Sequence, residues 1–206
     1  MAYCEILAKK REVNKIVIRA FLAFDLDEQD TVKNIQNFLQ RLKQNQPKLK
    51  EVKPENLHLT VKFLGSIPES LAPQIYKIID EDINQLLFQG KTFTFILKGV
   101  GQFNKYSVIW IKLIGDVEFL QKIKTKTEDL LYNKLNIERD KRTGFKPHLT
   151  IGRLKRERIN YKTFDILKNI ISENKLLEFG PFNIDRINLK KSDLTSEGPI
   201  YSNLVF

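Results

Sequence analysis

The sequence predicts an α+β fold made of two like halves that face each other across a cleft. Three observations carry this. Segments patterned as strands and helices run strand-helix-strand-helix-strand-strand, then helix-strand-helix and further strands. A His-Leu-Thr triplet occurs twice, as His58-Leu59-Thr60 and His148-Leu149-Thr150, each time on a strand between two helices. No stretch rich in Gly, Ser or Pro separates the halves, so a single bilobal domain over residues 15–206 is expected rather than two independent ones.

Taken in order, residues 1–14 are polar and mixed in charge, an N-terminal extension with little to bury and expected to be disordered. Ile16 to Phe24 is an apolar run of strand length ending at Asp25. Asp27 or Asp30 can cap a helix whose inward positions are Val32, Ile35, Phe38 or Leu39, and Leu42. Pro47 ends it, and 48–54 reads as loop. Asn56 to Leu64 is the first motif strand, with a turn over Gly65-Ser66-Ile67-Pro68. Glu69 to Leu87 reads as a helix with Leu71, Ile75, Ile78 or Ile79, and Leu86 inward, stopped by Gly90. Gly99 and Gly101 lie between strands at 92–97 and 107–113, which suggests a hairpin. Asp116 to Leu135 is a long charged helix with an apolar face through Val117, Leu120, Ile123, Leu130 and Leu131. A basic loop, 138–146, leads to Pro147 and the second motif strand. A helix near 161–172 and strands near 177–179, 182–189 and 200–206 complete the chain.

Composition excludes several classes. No apolar run reaches the eighteen residues of a membrane span, and the charged N-terminus does not resemble a secretory leader. The one cysteine, Cys4, has no internal partner, which fits a reducing, cytoplasmic setting. The net charge is +10, and residues 139–158 hold eight basic side chains against Asp140 and Glu157. So concentrated a surplus suits an anionic partner, most simply nucleic acid.

The triplets carry the chemistry. They contain the only two histidines among 206 residues. With ten threonines in the chain, Thr at the same offset from both has a chance of roughly one in four hundred before the shared Leu is counted. Residues two apart on a strand share a face about 7 Å apart, so His58 and Thr60 point one way, as do His148 and Thr150. Two imidazoles can act as proton acceptor and proton donor near neutral pH. Hydroxyls and the nearby Arg153 guanidinium can hold phosphate oxygens. A pair of histidines with a distant Cys4 is a poor zinc set, and neither motif holds a carboxylate cluster, so neither metal nor cofactor is expected. Trp110, Phe24 and Phe63 are candidates to stack on a base.

From about Ile18 to the C-terminus the chain resembles the 2H phosphoesterases, and within them the RNA 2′,3′-cyclic phosphodiesterases, once described as 2′-5′ RNA ligases. The resemblance rests on Arg19 to Asp25, on Asn56-Leu57-His58-Leu59-Thr60-Val61-Lys62-Phe63-Leu64-Gly65, and on Phe145-Lys146-Pro147-His148-Leu149-Thr150-Ile151-Gly152-Arg153. Gly101-Gln102-Phe103 and Val108-Ile109-Trp110 between the motifs are also similar. It implies two antiparallel sheets related by a pseudo-twofold axis, helices outside and a phosphate site in the cleft. It further implies metal-free opening of an RNA-terminal 2′,3′-cyclic phosphate to a 2′-phosphate. In that scheme His58 is proton donor, His148 proton acceptor, and Thr60, Thr150 and Arg153 bind the phosphate. The expected partner is RNA with a cyclic phosphate end, tRNA fragments among them, and the expected state is a monomer. The alternatives are a non-catalytic RNA-end-binding module, 2′-5′ ligation at the same site, and an esterase for a small cyclic nucleotide.

Overall fold

Apolar residues on every second position make the strands, and their pairing decides where the site falls. A computed structural model of the chain describes residues 16–141, 144–196 and 198–206; the expected extension at 1–14 lies outside them. The strands are β1 (Val17–Asp25), β2 (Lys50–Glu51), β3 (His58–Pro68), β4 (Phe93–Phe103), β5 (Val108–Ile114), β6 (His148–Arg153), β7 (Glu178–Ile184), β8 (Asn188–Leu194) and β9 (Pro199–Asn203). The helices are α1 (Gln29–Asn45), α2 (Ala72–Ile79), α3 (Val117–Leu135) and α4 (Phe164–Glu173). Every pairing is antiparallel, in the order β7-β4-β5-β6-β3-β1-β8-β9, with β2 beside β6. The α+β class is as expected. The two sheets, however, are hydrogen-bonded into one, and the halves meet at a single residue pair, Leu59 with Leu149.

The helices interleave the halves. α1 leaves β1 but packs on β6, β7 and α4; Thr31 Oγ1 donates to the Pro181 carbonyl at 2.9 Å and Asn34 to that of Phe179 at 2.8 Å. α3 leaves β5 and packs on β3 and α2. α1 and α3 thus each pack on the half opposite the strand they leave, so the halves are interleaved along the chain with no linker between them.

Several local expectations are corrected. α1 is capped at Glu28 without a side-chain bond, rather than at Asp27 or Asp30. The 48–54 loop contains β2. The expected turn at Gly65 to Pro68 is strand: β3 continues past Gly65, whose φ of +72° fits the register slip opposite Ala20 and Phe21. The hairpin turns at Asn104, Lys105 and Tyr106, all at positive φ, while β4 continues through Gly99, at φ +86° within a register slip, and through Gly101. The helix begun at Glu69 changes winding, from a 3-10 turn through α2 to a π-helical segment, Asp80–Phe88. Wider winding rotates the inward face. Leu86 is consequently 56 % exposed, and Ile83 and Phe88 take the core positions.

A buried ionic group ties the basic loop to the first motif strand. Lys62 is 2 % exposed; its Nζ donates to the Glu138 carbonyl at 2.7 Å and lies 3.7 Å from Glu128. Lys124 bonds Glu128 at 2.6 Å and Asp140 at 2.9 Å. Burial holds the Lys62 ammonium below the ordinary lysine range. Lys62→Met leaves Glu128 its bond to Lys124 but strips the Glu138 carbonyl of this donor. The expected result is a loss of about 1–3 kcal/mol, read as a lower urea midpoint at unchanged slope.

Candidate active site

Because Leu59 faces Leu149 in an antiparallel pair, His58 lies beside Thr150 and Thr60 beside His148. All four share the face opposite the two buried leucines, each 1 % exposed or less. The histidines occupy a diagonal of the quadrilateral, roughly 7–8 Å in an ideal ladder. Thus the four residues singled out by the repeated triplet are brought together.

Arg153 joins them through an irregularity. Strict alternation from His148 and Thr150 would place Gly152, not Arg153, on the cleft face. Against β5, however, Trp110 pairs with Thr150 and Ile109 with Gly152, so Ile151 is an extra residue. The slip turns Gly152 inward, where an added Cβ would lie 3.3 Å from Leu49 and 3.6 Å from Leu39, and brings Arg153 to the cleft wall. β3 does the same thing at the same place in its own triplet. Leu22 pairs with Lys62 and Ala23 with Thr60, leaving Val61 unpaired. Lys62 accordingly sits at the position of Gly152, and Phe63 at that of Arg153.

Each imidazole is anchored identically. His58 Nδ1 lies 2.7 Å from the Asn56 carbonyl, and His148 Nδ1 lies 2.7 Å from the Lys146 carbonyl. A carbonyl can only accept, so each Nδ1 carries hydrogen and each neutral ring has its lone pair on Nε2. Aromatic rings fix the planes. Phe21 and Tyr201 stand 5.0 and 5.3 Å from His58; Phe103 and Trp110 stand 5.0 and 6.1 Å from His148. Trp110 itself lies flat over Gly101, where any side chain would enter its ring.

Burial pushes the His58 imidazole below its ordinary range, because the charged form loses water. The bond to Asn56 and the carboxylate of Asp25, which is paired with His58 across β1 and β3, act the other way. Asp25 is in turn bonded by Lys190 at 2.6 Å and Asn188 at 2.9 Å, and Lys190 opposes its effect on the ring. Burial also raises Tyr201, keeping it a neutral phenol.

His58, Thr60, His148, Thr150 and Arg153, with Phe103 and Tyr201, line a cleft of about 1300 Å³. Of the basic window, Lys141, Lys146 and Arg153 reach it, while Arg139 is turned away onto Asp129 and Tyr132, and Arg142 lies outside the described residues. Lys43 of α1, and Lys50 and Lys53 of the segment after it, add positive charge to the cleft wall, and nothing in the sequence marks them for it. Tyr201, Phe103 and Asp25 were also missed as site residues; Asp25 and Phe103 lie in segments that resemble the family's, while nothing around Tyr201 signals a site. Of the three stacking candidates, Phe24 is core at 1 % exposure, and Trp110 serves His148. Among the described residues no three His, Cys, Asp or Glu side chains converge as metal ligands, and no helix is long and apolar enough to cross a membrane.

Comparison with known proteins identifies the family and the fold. The model of the AKAP7 2′5′ RNA ligase-like domain matches residues 20–204. A protein of Methanothermobacter thermautotrophicus named RNA 2′,3′-cyclic phosphodiesterase is 32 % identical over 192 residues, covering 91 % of this chain and 96 % of its own. One of the same name from Methanocaldococcus jannaschii is 36 % identical over 189 residues, covering 89 % and 96 %. In fold, the chain is similar to E. coli LigT in its apo form, with a TM-score of 0.65 at 20 % identity, covering 92 % of this chain and 95 % of that one. On the matched residues and the paired motifs together, the chain belongs to the RNA 2′,3′-cyclic phosphodiesterase family of the 2H phosphoesterases.

Proposed function

We propose that the protein opens the 2′,3′-cyclic phosphate at the end of an RNA to a 2′-phosphate, with its own two histidines moving the protons. The observation that carries this is the diagonal placement of His58 and His148 on one cleft face, each with Nδ1 tied to the carbonyl two residues before it. Water attacks phosphorus as His148 Nε2 takes its proton; the bond from phosphorus to O3′ breaks, and protonated His58 gives its proton to O3′. One 3′-hydroxyl and one 2′-phosphate result. Thr60 and Thr150 donate to the non-bridging oxygens, and Arg153 balances the charge that grows on them. A 5′-hydroxyl in place of water yields a 2′–5′ linkage by the same two transfers.

RNA is favoured over a small cyclic nucleotide by the cleft itself. Lys50, paired with Arg153 across β2 and β6, stands at one end of the four central groups, Lys146 precedes His148 at the other, and Lys53 and Lys141 also line the cleft. Backbone phosphates are the ligands such a spread of charge serves.

The test uses a short RNA ending in a 2′,3′-cyclic phosphate, incubated with the protein in EDTA. The expected product is the 2′-phosphate, formed at a rate that added magnesium or zinc leaves unchanged. A 3′-phosphate, or turnover only with added metal, overturns the scheme.

A further inference from the structure

Three donors gather at the His58 end of the four central groups. Arg153 and Lys50 stand directly opposite each other across β6 and β2, so their side chains leave the sheet on one face, about 5 Å apart at Cβ. Lys50 leans towards the turn between β8 and β9. Its Nζ would lie 3.0 Å from a Cβ placed on Gly198, and the glycine leaves the ammonium its room. Tyr201, on β9, brings a phenol hydroxyl into the same stretch of wall. Arg153 acts on both His58 and Tyr201, so guanidinium, imidazole and phenol look onto one space. That guanidinium favours the phenolate, but burial outweighs it and the phenol keeps a proton to donate. Among the described residues, none of the three donors has an ion-pair or hydrogen-bond partner. The carboxylate next to Lys50, Glu51, is already held by Lys43 at 3.1 Å. Asn56 donates to the Pro199 carbonyl at 3.2 Å, fixing β9 against the segment that leads from β2 to β3.

The proton transfers also say which way the RNA leaves. His58 protonates O3′ while water attacks from the opposite side, at His148, so the ribose lies at the His58 end of the phosphorus. Its O5′, and the phosphodiester attached there, point further along that same end. Arg153 is three residues beyond Thr150 with Ile151 unpaired, so it lies two strand steps on, roughly 7 Å along β6. That offset is about one nucleotide of backbone. We propose that Lys50 and the Tyr201 hydroxyl form a subsite for the phosphodiester joining the terminal nucleotide to its neighbour, with Arg153 between it and the reacting phosphate. This deepens, and rests on, the reading of the site as acting on RNA ends. The diester carries one negative charge at every working pH; Lys50 balances it and the phenol donates to a non-bridging oxygen. Neither residue reads a base edge, so the demand is for at least two nucleotides and not for a sequence.

The experiment uses two dinucleotides that end in adenosine 2′,3′-cyclic phosphate and differ only in the internal linkage. One has the natural phosphodiester, the other a methylphosphonate, which keeps the shape and carries no charge. For the unaltered protein, kcat/KM is expected to be about 10- to 150-fold higher with the charged linkage, the difference lying in KM. The plot of log kcat/KM against log salt should be steeper for that linkage by about 0.7. Lys50→Ala is expected to cut the ratio about tenfold, and Tyr201→Phe, which keeps the ring against His58, about 2- to 10-fold. A ratio cancels any general loss of activity in a variant, so a damaged fold does not imitate the result. Lys146→Ala, at the other end of the cleft, should leave the ratio in place. Calorimetric affinities for the same two dinucleotides ending in a 2′-phosphate give the comparison without turnover. A protein that opens neither substrate therefore refutes the reaction, while the affinities still decide the subsite. A ratio near one in the unaltered protein, or one abolished by Lys146→Ala instead, overturns the subsite. A ratio that Lys50→Ala or Tyr201→Phe leaves unchanged removes that residue from it.

Discussion

His58→Ala and His148→Ala are each expected to lower kcat on the cyclic phosphate by about 10²–10⁴, with the fold intact. The fold should survive because the bond of each Nδ1 is to a carbonyl two residues away, at the entry to its own strand. A variant of either histidine with full activity would remove that residue from the scheme. The two roles are separable by pH. As proton donor, His58 must start protonated, yet burial in the free protein holds its imidazole below the usual value. Therefore kcat/KM, which reports the free protein, should fall as pH rises through that lowered pKa. A bound phosphate favours the charged ring, so the same limb of kcat should lie at higher pH. Asp25→Asn removes a carboxylate that favours the imidazolium and leaves Lys190 less neutralised, so it should move this limb to lower pH. If His58 were the acceptor instead, Asp25→Asn would move the acidic limb to lower pH and leave the basic limb in place. Which of the two limbs moves decides which imidazole gives the proton.

Arg153→Ala is expected to cost about 10²–10³ in kcat, the loss that follows removal of one donor aimed at transition-state charge. Its side chain is exposed at the cleft wall and no core contact goes with it, so circular dichroism and melting should be unchanged. Arg153→Lys keeps the charge but loses the planar fork, and should recover only part of the loss. An alanine variant with undiminished kcat would place Arg153 among the solvated charges of the 139–158 window rather than at the phosphate.

Much of this was legible in the residues. Alternation and helical spacing gave the strands and the inward faces of α1, α3 and α4, because burying apolar area is a local demand repeated every two or every three to four residues. What was misread shares one cause. Gly65 and Gly101 look like turn residues, but β3 and β4 run through them, since the partner strands supply enough ladder bonds to carry a glycine. Leu86 is apolar and at helical spacing, yet it faces water because the winding widens at Asp80. In each case a tertiary contact outweighed the local preference.

By itself the sequence determined that two imidazole and hydroxyl pairs exist, each on the outward side of a strand whose alternate residues are core. The repeat states that chemistry outright, because a strand's period fixes which neighbours share a face. Only the tertiary structure decided that the two pairs meet, through Leu59 and Leu149 ninety positions apart, and which residues beyond them reach the cleft. Arg153 and Phe63 stand at odd offsets from their histidines and by alternation alone would point into the core. One unpaired residue in each ladder, Ile151 and Val61, reverses them. Such a slip depends on what the neighbouring strand offers to bond, and that information lies in β1 and β5, not in the motifs themselves.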